Sequence, residues 1–209
     1  MDEIAEVHSS LPNHTRALIE ALEAPDSNSW SEGGPDPSRD DVLAAFREVH
    51  ARSLHGFALL FTLGDRSRAT RLTESALADA AGRVDNLRHP ERAATWLRGR
   101  VVRQARTRVR LRLRPPVGRL AELGADEAVM RALAVLSQRE RAALLASDVE
   151  RFDRRDVASI VAVDGRALEG LLRHARERYF RAYADSAAGE VPDGPTVLRI
   201  RAIAHRHLA

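Results

Sequence analysis

Between Ser38 and Ala184 apolar residues recur at intervals of three and four, the repeat of a helix face rather than of a strand. Runs of β-branched and aromatic residues are scarce, and aromatics make up only 4% of the chain, so the expected fold class is all-α. Ser38 with Asp41 reads as a helix-start capping pair, and Val42, Ala45, Phe46, Val49, Leu54, Phe57, Leu60 and Phe61 follow at helical spacing. Gly64 ends that helix and Asp65 caps a second, which runs to about Val84 with Ala69, Leu72, Ala76, Leu77 and Ala80 as its apolar stripe. The polar loop from Asp85 to His89 leads into Pro90, which suits a first helical turn. A third helix carries Ala93, Ala94, Trp96, Leu97, Val101, Val102 and Ala105, then becomes almost wholly basic.

Pro115-Pro116 and Gly118 break the chain before four more helical segments. These span about 126–136, a segment opened by the capping box of Ser137 and Glu140, one started by Asp153 with Asp156, and one from about Arg166 to Ala184. The expected organisation is two helical domains, 39–111 and 125–185, joined by a basic linker over 112–124. Residues 1–38 form an acidic flexible segment with room for a short helix over 11–24, and residues 186–209 an extension with a short helix over 196–208.

Charge is distributed unevenly. The net charge is +3, and the 33 basic residues are all arginine, with no lysine. Residues 1–41 hold ten acids and two arginines, a balance of −8, so the remainder stands at +11. An acidic tail on a basic body suggests a polyanionic partner for the body. The chain lacks cysteine, which excludes disulfides and thiol chemistry and fits the reducing cytoplasm expected as its location. Residues 1–10 do not read as a signal peptide, and no stretch approaches the roughly 20 apolar residues of a membrane span, so no membrane insertion is expected. There is no Gly-rich phosphate loop, no metal-spaced set of ligands and no nucleophilic triad. His205 and His207, two apart on a helix, cannot share a face. Enzymatic activity, a cofactor and a bound metal are therefore not expected.

Two constellations carry function. Around Val163-Asp164-Gly165, a short helix with Val157, Ile160 and Val161 inward meets an amphipathic helix that buries Leu168, Leu171, Leu172, Ala175 and Tyr179. This is helix-turn-helix grammar, with a Gly-containing turn. Arg166, Gly170, Arg173 and Glu177 fall on the opposite stripe, and Arg154 and Arg155 open the preceding helix where backbone phosphates could be met. Two packed helices with a solvated face would share this pattern. The second constellation is the run Arg98, Arg100, Arg103, Arg106, Arg108, Arg110, Arg112 and Arg114. Such a density of cations needs anions nearby: either DNA phosphates, with Arg106, Arg108 and Arg110 as contacts, or the acidic N-terminal tail.

Four stretches in this order resemble regions 2 and 4 of an extracytoplasmic-function sigma factor, over about residues 42–183. They are Phe57-Ala58-Leu59-Leu60 through Gly64-Asp65, the segment 69–77, Ala94-Thr95-Trp96-Leu97, and Leu136-Ser137-Gln138-Arg139-Glu140-Arg141 through Arg173-His174-Ala175-Arg176-Glu177-Arg178. The resemblance implies a transcription initiation protein that binds core RNA polymerase through Leu72, Glu74 and Leu77 and directs it to promoter DNA. It further implies capture of an unstacked base in the loop bearing Asn86 and Arg88, with Trp96 and Arg103 supporting strand separation. The second domain would place Arg166, Arg173 and Arg176 in the major groove, and an anti-sigma factor would be a possible partner.

The chain departs from the family pattern at several positions. Arg71 and Glu74 stand where an acid and a later Gln are usual, and Val101, Val102 and Arg103 follow the Trp-Leu signature without the common Asn. Ala167, Glu169, Gly170 and Leu171 replace donors in the recognition helix, and His174 replaces a frequent Arg. These departures keep two rivals open: a sigma-like regulator that binds protein partners without initiating transcription, and a free-standing helix-turn-helix repressor.

Overall fold

A computed structural model describes residues 38–83, 87, 89–107 and 127–186. They form seven α-helices, with no strand among the described residues: α1 (Arg39–Phe61), α2 (Arg66–Ala81), α3 (Pro90–Thr107), α4 (Glu127–Ala134), α5 (Gln138–Leu144), α6 (Arg154–Val161) and α7 (Gly165–Ser186). The acidic N-terminal segment, Asn86, Arg88, Arg108, Arg110, the linker and the C-terminal extension lie outside the described residues.

Short polar side chains start the helices where the sequence places them. Ser38 accepts a hydrogen bond from the Asp41 amide at 3.2 Å while the Ser38 amide donates to the Asp41 carboxylate at 3.1 Å. The same reciprocal pair joins Ser137 and Glu140, and the carboxylates of Asp65 and Asp153 accept from the amides of Arg68 and Asp156. Such caps satisfy amides that a helix leaves unpaired and are each worth about 1 kcal/mol. At the far end of α1, Leu63 (φ 60°) and Gly64 (φ 81°) turn the chain left-handed, and the Gly64 amide donates back to the Leu59 carbonyl at 2.9 Å.

Three boundaries differ from the sequence reading. Helix α2 stops at Ala81, with Gly82 as its cap, short of Val84. Helix α5 runs on into a π-helical turn over Leu145–Val149 that periodicity alone does not announce. The turn between α6 and α7 is Ala162-Val163-Asp164, because the Asp164 carboxylate accepts from the Ala167 amide at 2.7 Å and draws Gly165 into the helix. The left-handed residue of that turn is Ala162 (φ 55°, ψ 61°), not the glycine.

The buried residues of both halves join one core. Leu54, Phe57, Phe61, Leu72, Leu77, Leu97 and Val101 from α1–α3 are continuous with Leu133, Leu145, Ile160, Leu168 and Tyr179 from the helices after residue 127. Each large side chain removed from water contributes roughly 1.5–3 kcal/mol. Helix α3 is central, touching α1 and α2 on one side and α5 and α6 on another. Gly99 lies at the α3–α6 contact: a Cβ there would sit 3.6 Å from the Ile160 Cα and 3.1 Å from an Arg103 guanidinium nitrogen.

Two buried arginines cross the same boundary. Arg98 forms a two-pronged pair with Glu150, both contacts at 2.5 Å, and its guanidinium lies 4.9 Å from the centre of the Phe152 ring. Arg141 donates to the carbonyls of Leu133 (2.8 Å), Leu136 (3.0 Å) and Phe61 (2.8 Å), the last at the C-terminus of α1. Its forked donors thereby occupy carbonyls that helix ends leave open.

Candidate nucleic-acid interface

Helix α7 buries Leu168, Leu172, Ala175, Tyr179 and Tyr183, which places Arg166 and Arg173 on its outer side. Both are exposed, as is Arg155 near the start of α6, and none of the three has a carboxylate partner among the described residues. The flanking cations are differently disposed. Arg154 pairs with Glu169 on the surface, a contact worth only about 0–1 kcal/mol and easily exchanged for a phosphate. Arg176 is held more firmly by Asp148, with contacts at 2.6 and 3.0 Å, and the hydrogen bonds it donates to that carboxylate raise the Arg176 pKa above its usual value. The α6–α7 pair therefore presents Arg155, Arg166 and Arg173 without a carboxylate partner among the described residues, Arg154 loosely tied and Arg176 engaged.

The arginine run on α3 is divided by the fold. Arg98 is buried against Glu150, and Arg100 donates to Asp79 of α2 at 2.6 Å. Carboxylates of the body, Glu150 and Asp79, are thus partners of these two. Arg103 remains exposed, and burial of part of its side chain together with the nearby Arg100 charge lowers its pKa. Arg106 belongs to the helix by its backbone. Trp96 is half-buried on the same side as Arg92 and Arg103, and the guanidinium of Arg83 stands 6.0 Å from the centre of its ring. Arg83 was not among the residues singled out from the sequence, and its approach across the loop before α3 leaves no local sequence signal.

Of the three residues assigned to polymerase contact, the structure separates one from the others. Leu72 and Leu77 are 4% exposed and belong to the core, because their faces of α2 pack on α1 and α3. Glu74 is exposed. Only Glu74 of this set can meet a partner without rearrangement of α2.

A shallow hollow of about 590 Å³ lies between the start of α5 and α7, lined by Ser137, Arg139, Glu140, Leu171 and Arg178. Its carboxylate is fully engaged. Burial alone would raise the Glu140 pKa, but hydrogen bonds from the Ser137 hydroxyl and amide and from Arg178 outweigh it, and the group is held below its ordinary value. Among the described residues no group of three or more acidic or His side chains is placed to hold a metal ion, and no helix is long and apolar enough to cross a membrane. No protein-family model matches the sequence, and no curated protein matches it.

Proposed function

We propose that the chain is a DNA-binding transcription protein, similar to a small sigma factor of the extracytoplasmic-function group, that binds core RNA polymerase and directs it to promoter DNA in the cytoplasm. The observation that carries this reading is the outer face of the helix-turn-helix, where Arg155, Arg166 and Arg173 are exposed and have no carboxylate partner among the described residues. Arginines so placed suit phosphates and guanine edges. The basic and aromatic side of α3, with Arg92, Trp96 and Arg103, adds a surface suited to single strands.

The test is binding of the purified full-length protein to core RNA polymerase, followed by run-off transcription from genomic fragments. New promoter-specific transcripts are the expected result. Arg173→Ala should then weaken promoter binding by about 1–3 kcal/mol, and unchanged affinity in a gel-shift titration would remove Arg173 from the interface.

A second reading is favoured by two observations, the burial of Arg98 and the seating of α6 on α3. It is a sigma-like regulator that works through protein partners. Polymerase binding without transcription would select it. Salt-sensitive DNA binding with no polymerase affinity would select a free-standing helix-turn-helix protein instead.

A further inference from the structure

The chain enters α1 beside the end of α2, where the Arg39 guanidinium donates to the Ala81 carbonyl at 3.4 Å. Arg83 follows Ala81 by two residues, and its guanidinium lies 6.0 Å from the centre of the Trp96 ring. The point at which residue 37 joins the body and the basic, aromatic side of α3 therefore meet at one end of α2. On that side Arg92, Trp96 and Arg103 follow one another at intervals of four and seven residues, which keeps them on one helical face.

Arg83, Arg92 and Arg103 are exposed, and none has a carboxylate partner among the described residues. Helix α3 carries a single acid, Glu91, in its first turn. Partial burial and the Arg100 charge both disfavour the Arg103 cation, so an anion brought alongside is favoured. The sequence holds such anions close at hand. Residues 1–37 contain eight acids and one arginine, a balance of −7, and Glu32 and Asp36 stand six and two residues before Ser38. Six extended residues span roughly 20 Å, enough to follow Ala81 and Arg83 toward Trp96.

We propose that the acidic segment before Ser38 docks on the face formed by Arg83, Arg92, Trp96 and Arg103, with Glu32 and Asp36 as its acids nearest the body, and so holds that face against nucleic acid. The docking follows from charge complementarity and from the place where the segment joins the body. The competition rests on the DNA-binding reading above. A tethered segment meets its site at an effective concentration on the order of millimolar, so a few weak ion pairs suffice to occupy it. A single strand, with a charge on every phosphate, displaces it by offering more anions to the same arginines.

The chain has two tryptophans, so Trp30→Phe leaves Trp96 as the sole reporter. In that full-length background, acrylamide quenching of Trp96 is compared with the segment intact and with Glu32→Gln and Asp36→Asn together. Glu177→Gln with Asp185→Asn removes the same charge from α7 and serves as the control. The first pair should make Trp96 easier to quench and the control pair should not. About 1 M salt, where the screening length is about 3 Å, should erase the difference. Affinity for a labelled oligothymidine strand, read by anisotropy at low salt, should rise several-fold with the first pair over the control. Equal quenching of Trp96 with Glu32 and Asp36 charged or neutralised would overturn the docking, whatever the strand does. Easier quenching in a protein with no affinity for the strand would keep the docking and remove the DNA-binding reading from this face.

Discussion

His50 is buried, 6% exposed, on α1 between Phe46 and Leu54. Burial pushes its pKa down to about 4, with the Arg98 charge adding to the effect, whereas an unfolded chain would hold it near 6.5. The unfolded state therefore binds the extra proton between these values. The stability contributed by a neutral His50 is complete above pH 6.5 and is lost as pH falls toward 4. Lowering the pH from 7 to 5 should cost about 2 kcal/mol through this residue, measured as a fall in the urea midpoint, and His50→Phe should flatten that dependence. Glu140 does not confuse the comparison. Its pKa is lowered, so its contribution persists above its ordinary value near 4.5 and is lost only in stronger acid. The spacing of His50 from Phe46 and Leu54 already places it on the buried face. Its depth and its proximity to Arg98 depend on a helix far along the chain, which periodicity does not describe.

At the scale of elements, the helix starts were legible because each cap is a pairing three residues long. Ser38 with Asp41, Asp65 with Arg68, Ser137 with Glu140 and Asp153 with Asp156 all form as the sequence implies. The turn between α6 and α7 lies one residue earlier than the sequence reading places it, because Asp164 caps α7 and draws Gly165 into the helix, while Ala162 takes the left-handed conformation. Alanine in this conformation is strained by roughly 1 kcal/mol. Ala162→Gly should accordingly stabilise the protein by about 0.5–1 kcal/mol in chemical denaturation, whereas a β-branched residue there should destabilise it. The outer face of α7 could be read directly from its apolar stripe. The ties that withdraw Arg176 and occupy Arg154 could not, since their acids, Asp148 and Glu169, come from neighbouring elements brought alongside by packing.

At the scale of the whole molecule, the cross-links least visible in sequence are those that bind its halves. Arg98 and Glu150 are 52 residues apart, and Arg141 reaches a carbonyl 80 residues away. Burial lowers the Arg141 pKa to about 10, aided by the nearby Arg68 charge, and carbonyls rather than a carboxylate receive its donors. Lysine has the charge but not the fork. Arg141→Lys should therefore destabilise the protein by about 3 kcal/mol, and hydrogen exchange should show increased opening in both α1 and α4. The seating of α6 on α3 also sets a thermodynamic tax on recognition. A partner that needs the two helices apart can engage only the fraction of molecules in which they have separated, so its apparent affinity falls tenfold for each 1.4 kcal/mol that separation requires. A partner content with the outer face of α7 meets every molecule ready to bind.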